Sequence, residues 1–195
     1  MMFYPAVAHV PELLATSEFL LRPLRATDVN LDYDAVMSTR AELLLHSGGS
    51  WPQPDFPIQE NLLDLARHEQ EHIDRVAFTY TIMNPLETEC LGCIYINPAA
   101  WILKRTAASP EQIATGSEYE AWVSFWIRHS RLADKLDARV LDALLSWLST
   151  EWAFERVIFV ARKEQARQIQ LFIDADLRLL FTLPHSLAYT PPTAL

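Results

Sequence analysis

The stretch from Glu118 to Ala161 constrains the fold of this chain more than any other. EYEAWVSFWIR (118–128) is aromatic and β-branched enough to form a central strand. An amphipathic segment over 133–149 follows, with Leu132, Leu136, Val140, Leu144 and Leu148 recurring on one helical face. RVIFVA (156–161) then reads as a buried strand. Strand, long helix and buried strand make a right-handed crossover between parallel neighbours, because parallel strands cannot be joined by a tight turn.

The flanking segments add antiparallel strands to that unit. AFTYTIM (77–83) and CLGCIYI (90–96) read as a hairpin across NPLETE, and FLLRPL (19–24) as a first strand. Thr27 is expected to cap a single helix over 28–46, with Asp28 favourably placed at its N-terminus. After the loop SGGSWPQPDFP, a second helix is expected from Ile58 to Val76, its inner stripe being Leu62, Leu65, Ala66, Ile73 and Val76. Residues 97–117 show no clear period and are expected as loop or short helix. EQARQIQLFIDA (164–175) reads as a short helix and LRLLFTL (177–183) as the last strand. The expectation is one α/β domain over 1–195, a mixed sheet of six or seven strands flanked by about four helices.

Half of the residues are hydrophobic, which suffices for a sizeable core. The net charge of −9 and the lack of any Lys/Arg run argue against nucleic acid as a partner. No apolar run approaches the roughly 20 residues that span a bilayer. With only two cysteines and no basic segment before MMFYPAVAHVPELLA, a soluble, cytoplasmic protein is expected.

His68-Glu69-Gln70-Glu71-His72 fits H-E-x-x-H, in which two histidines one helical turn apart bind zinc and the glutamate acts as base. The filling argues against a zinc peptidase. Gln70 and Glu71 sit between the histidines, and Arg67, Asp74 and Arg75 lie close by, charges that are costly to bury beside a metal. The plainer reading is a charged helix flank. Pairing these histidines with Cys90 and Cys93 also fails on distance, since six strand residues separate the sites by on the order of 20 Å. On a regular strand the two cysteines would point to opposite faces. No metal is expected.

The order of these elements, together with FLLRPLRATDVNLDYDAV near the start and LFIDADLRLLF near the end, resembles the GNAT acyl-CoA N-acyltransferases over nearly the whole chain. HEQEH…FTYTIMNP, LGCIYINP and WLSTEWAF resemble segments of one bacterial branch. The resemblance implies that the strands flanking helix 133–149 splay apart, and that acetyl-CoA or another acyl-CoA is the co-substrate. It also implies that the CoA pyrophosphate rests on a helix N-terminus in a loop of form R/Q-x-x-G-x-G/A. The matching stretch is Ile127 to Leu141. Ala138 fits the last small position, but Leu136 replaces a glycine, Ala133 replaces Arg or Gln, and Asp134 and Asp137 bring negative charge. Arg128, Arg131, Lys135 and Arg139 offset it, so the expected CoA site is Ile127, Arg128, Arg131, Lys135, Asp137, Ala138 and Arg139, with Gln165 from the later N-x-x-S/A pattern. Phe172 stands where the family has a tyrosine acid. Glu118 and Glu120 are the candidate bases and Tyr95 and Tyr119 the candidate hydroxyl donors, with Glu120 and Tyr95 preferred. His129 is as readily a solvated loop residue.

Two functions of different class follow. One is an N-acyltransferase acting on a small amine or a peptide N-terminus, with a homodimer as a possible assembly. The other is a non-catalytic GNAT-fold module that binds a ligand or another subunit, suggested by the replaced glycines and tyrosine. A zinc peptidase is a remote third.

Overall fold

A computed structural model describes residues 3–192. Eight strands form one mixed sheet: β1 (Leu14–Ala15), β2 (Leu20–Pro23), β3 (Phe78–Met83), β4 (Cys90–Pro98), β5 (Ala121–Ile127), β6 (Val157–Arg162), β7 (Arg178–Thr182) and β8 (Ser186–Thr190), in the order β1-β2-β3-β4-β5-β6-β8-β7. Only β5 and β6 are parallel, joined through α6 (Leu136–Glu151). The strand count exceeds the expected six or seven because Leu14–Ala15 adds a two-residue edge and because SLAYT after Pro184 folds back as β8 between β6 and β7.

Helices also outnumber the expected four. The segment over 28–46 divides into α1 (Val29–Ser38) and α2 (Arg40–Ser47) at Thr39. Thr39 is fully buried, and its hydroxyl accepts the His129 N–H at 3.1 Å, a tertiary duty that periodicity does not reveal. Thr27 does not cap the helix. It lies inside a 3-10 turn over Ala26–Asp28, and Asp28 instead accepts the Arg25 N–H while forming a two-pronged pair with the buried Arg22 guanidinium at 2.7 and 2.9 Å. Between β4 and β5 the aperiodic segment holds α4 (Ala99–Leu103) and α5 (Pro110–Gly116). The second of these starts in a Ser109/Gln112 capping box with Pro110 in its first turn.

The helix α3 (Ile58–Ile73) corrects the expected stripe. Leu62 and Ile73 are exposed at 42% and 67%, whereas Asn61 and Leu65 are buried, and His68 and His72 continue that inner face at helical spacing. The face is polar because it meets a polar patch of α1, where Asp32 is also buried. α6 starts at Leu136 rather than 133, since Lys135 is in the left-handed region at φ 56°. The last helix, α7, spans Ala166–Asp174. One core lies between the sheet and α6/α7; another, with Cys90, Cys93 and Trp126, lies under α1–α3.

Both cysteines therefore face the same side, contrary to the expectation from regular alternation. Cys93 pairs with Thr81 and Cys90 with Met83, two residues apart on β3 but three on β4, so β4 carries a bulge. Gly92 makes the bulge feasible. Its φ is 154°, and a Cβ there would lie 2.1 Å from the Trp126 carbonyl oxygen. The displaced Leu91 carbonyl accepts the Arg128 N–H at 2.7 Å, which fixes the exit of β5. Gly92→Ala should accordingly cost about 3 kcal/mol or more. Urea unfolding of the two proteins measures this, and a change within about 0.5 kcal/mol would contradict it.

Candidate active site

The β5–β6 ladder is short. It runs Ala121↔Val157, Trp122↔Ile158 and Val123↔Phe159, and then stops. Beyond it β5 stays with β4 as far as Ile127↔Gly92, while β6 turns to β8 as far as Arg162↔Ser186. The two strands thus diverge into a V, and side-chain alternation divides its lining. Phe125 and Ile127 point to the α6/α7 core, and Trp122, Ser124 and Trp126 to the opposite face.

A cavity lies on each side of the V. The first, of about 250 Å³, has an apolar wall of Phe125, Ile127 and Leu132 and reaches the first turns of α6 and α7 at Asp137 and Gln165–Gln168. Buried Nε2 of Gln168 has no hydrogen-bond partner among the described residues, an orphan donor that can donate to a ligand carbonyl. The second cavity, of about 400 Å³, is bounded by Trp122 and Ser124 of β5, Val160 and Arg162 of β6, His46 of α2, the α4–α5 connection and the β7–β8 turn. Gln165 lines both. Its side-chain oxygen accepts the Arg162 N–H at 2.8 Å, which ties the α7 N-terminus to the end of β6.

Arg162 also anchors α2. Its Nε donates to the His46 carbonyl at 2.8 Å, and its guanidinium lies where a Cβ on Gly48 would be, 2.7 Å away. Gly48 (φ 70°) ends α2 in the left-handed region, so the position suits glycine on both counts. Burial, with the Arg162 charge adding to it, pushes the His46 imidazole down to about 4. It is therefore neutral at pH 7. The Tyr95 hydroxyl accepts the Trp126 indole N–H at 3.2 Å, and burial raises the phenol above its ordinary value, keeping it protonated. The Tyr95 ring lies 6.4 Å from that of His46 and 5.5 Å from that of His68.

The expected CoA residues do not gather in one place. Ile127, Asp137 and Gln165 line the 250 Å³ cavity, and Ala138 lies in the first turn of α6 beside it. Arg131 and Arg139 line a separate depression with Glu18 and Leu91. Both of these arginines already have an acid, Arg139 donating to Glu18 at 2.6 Å and Arg131 to Glu89, and so does Arg128, which lines neither space and donates to Asp34 at 2.6 Å. Asp137 is buried and holds Arg167 at 2.6 and 3.0 Å. Lys135 is exposed at the α6 N-cap. Glu120 lies at the closed end of β5, away from the V, where its carboxylate accepts the Arg156 N–H at 2.8 Å. Glu118 pairs with Arg156.

The H-E-x-x-H side chains diverge. Glu69 accepts the Ala26 N–H, His68 bonds Glu71 and Thr79, and His72 packs edge-on against Phe78 and Tyr80. Among the described residues no group of three or more His, Cys, Asp or Glu side chains is arranged to hold a metal ion. Burial raises both cysteine thiols, Cys90 to about 12.

No family model and no curated protein matches the sequence. Solved structures do. The ribosomal L7/L12 alpha-N-protein acetyltransferase in complex with coenzyme A superimposes with a TM-score of 0.68 at 17% identity, over 93% of this chain and 98% of that one. The microcin C7 self-immunity acetyltransferase, in complex with acetyl-CoA and AMP, gives 0.67 at 11% identity over 90% and 93%. The ribosomal-protein-S5-alanine acetyltransferase from Vibrio fischeri gives 0.65 at 10% over 92% and 95%. The chain has the GNAT fold.

Within this GNAT fold, sequence reading missed His46, Ser124, Arg162 and Arg167. Ser124 was detectable as the only polar residue inside AWVSFWI. Asp32 was detectable too, because it shares a helical stripe with the buried Ala35, Val36, Thr39 and Leu43. Burial raises the Asp32 carboxyl to about 6. The unfolded value is about 3.9, so the folded state resists ionising it, and this destabilisation grows from pH 4 to full size above pH 6. Asp32→Asn should therefore stabilise the protein by roughly 2 to 3 kcal/mol at pH 7, with no gain below pH 4. Chemical denaturation across pH measures the difference; a gain that persists at pH 4 would show that Asp32 is not the cause.

Proposed function

We propose that the chain transfers an acyl group from acetyl-CoA or another acyl-CoA to an amine, a small one or a peptide N-terminus. The observation that carries this reading is the V between β5 and β6 with a cavity on each side that share Gln165. A thioester lying in the V is reached from the cavity holding Ser124 and His46. The apolar wall of the first cavity suits an acyl-CoA arm, Gln168 Nε2 offers it a donor, and the N-termini of α6 and α7 favour its phosphates.

On the acceptor side, the amine nitrogen attacks the thioester carbonyl carbon, the C–S bond breaks and the thiolate leaves. The nitrogen becomes ammonium-like on attack, hence far more acidic than the free amine, so a weak base suffices to remove its proton. Neutral His46, on the wall of that cavity, is the base in this reading. Tyr95, held as a phenol, supplies a hydroxyl on the same face of the sheet as Ser124. Glu120 has no part in this step, because it lies at the other end of β5. The solved structures named as acetyltransferases of ribosomal proteins support a peptide acceptor, and the microcin C7 self-immunity acetyltransferase, in complex with acetyl-CoA, supports the acyl donor.

Incubation with acetyl-CoA and a panel of amines and N-terminal peptides, followed by thiol release, tests the reading. His46→Ala should lower kcat about 100-fold at unchanged KM for acetyl-CoA. Tyr95→Phe should lower it about 10-fold, a lost hydrogen bond. Absence of both CoA binding and amine-dependent thiol release in the wild type would remove the proposal.

A further inference from the structure

We propose that the pocket between α1 and α3 is a subsite for a second cationic group, making the acceptor a short aliphatic diamine. The inference rests on the acyltransferase reading, because His46 joins the two spaces: it lines both the acceptor cavity and this pocket of about 220 Å³.

The base of the pocket is Asp32, 4% exposed. One of its oxygens accepts the Asn61 amide at 2.8 Å, and the other has no hydrogen bond among the described residues. Nor does Asp32 have a cationic partner there, although arginines are near. Arg22 is committed to Asp28 and Glu87, and Arg67 to Asp64 and Glu71. The two histidines on the pocket wall bring no charge either, since burial lowers both His46 and His68. A nearly buried carboxylate facing a cavity without any counter-ion is the condition in which an entering cation gains most, because it offsets a desolvation cost that the fold already bears.

The walls narrow the ligand class. Leu24, Val36 and Leu65 suit methylenes, and Trp51 and Tyr95 offer aromatic faces to an ammonium group. An anion is repelled by Asp32 and Asp64, and a purely apolar ligand leaves the Asp32 carboxylate unpaired. An alkyl chain that carries one amine toward Ser124 and passes His46 with its other end positive meets each of these surfaces.

The test compares 1,4-diaminobutane with n-butylamine, which keeps the chain and loses one ammonium group, by titration calorimetry on the full chain at pH 7.5 without CoA. The diamine should bind at least about ten-fold more tightly. Asp32→Asn, which keeps the size and the Asn61 hydrogen bond, should abolish the preference. Equal affinities in the wild type, which needs no variant to fold, would overturn the subsite, as would a preference that survives in Asp32→Asn. Acetyl-CoA turnover, measured separately, distinguishes the two readings. A diamine preference without turnover upholds the subsite and removes the transferase. Turnover of both amines with equal kcat/KM does the reverse.

Discussion

The end of the β5–β6 ladder at Val123 and Phe159 is the constraint on which the rest of the molecule depends. A central strand cannot leave its neighbour without stranding backbone donors and acceptors, and buried backbone groups are almost always paired. Two other ladders resolve this. β4 accompanies β5 over its full length, and β8 takes the free edge of β6 through Arg162↔Ser186. The hairpin back-fold of β8 between β6 and β7 is therefore needed for the opening, not an ornament at the sheet edge. The same divergence brings the first turns of α6 and α7 to one cavity. The bulge at Gly92 serves it from the other side, since the Leu91 carbonyl it displaces holds Arg128 where β5 turns toward α6.

The second organising feature is a polar interior under α1 and α3. Asp32, Asn61, Thr79 and Thr81 are all buried. Buried polar groups without good partners are costly, and a hydrophobic replacement is often no worse for stability. Asn61 answers one Asp32 oxygen, and Thr79 meets His68 at 3.3 Å, so the patch is ordered but not fully satisfied. Arg22 and Asp28 contrast with it. Their two-pronged pair is closed within the fold, with Glu87 at 2.6 Å completing the guanidinium. Removing either partner there leaves a buried charge alone, typically a loss of about 3 to 5 kcal/mol. The FLLRPL…D pattern near the N-terminus therefore reports a structural lock, whereas Asp32, four residues beyond Asp28, reports an unfinished site.

What the sequence discloses follows from how local each signal is. The parallel crossover was legible because Leu136, Val140, Leu144 and Leu148 form a stripe whose period belongs to one helix, and all four are buried. The stripe of α3 misled because tertiary context decided it: Asn61 and His68 face inward to meet α1, and Leu62 turns out to solvent. The cysteine faces could not be read because a bulge changes the side-chain alternation, and its only local sign is a glycine inside a strand. The V-side residues of the candidate site, Ile127 and Gln165, were found through a motif, which is local. His46 and Arg162 were not, since they come together only when the end of α2 docks on the end of β6 across 116 residues.

The acidic residues at the start of α6 become intelligible once the partners are known. An aspartate at the second position of a helix answers the positive end of its dipole, and Asp137 does this while buried. Its other duty is to hold Arg167, whose NH2 also donates to the Leu132 carbonyl at 2.6 Å, so that α7 is pinned to the α6 turn across the mouth of the V. Arg128 and Arg131 share Glu89 in the same manner, between the β5 exit and the residue before β4. Of the charges that look hostile to a phosphate, Asp137 is thus the internal counterpart of Arg167, while Arg128, Arg131 and Arg139 take theirs from Asp34, Glu89 and Glu18. Such charge-assisted pairs position the arginine side chains around the two helix N-termini, and screening by solvent limits what each exposed pair contributes to stability. The loop therefore departs from the glycine-lined pattern in means: Leu136 buries its side chain in the core, and the geometry of the turn is held by side-chain pairs and the left-handed Lys135.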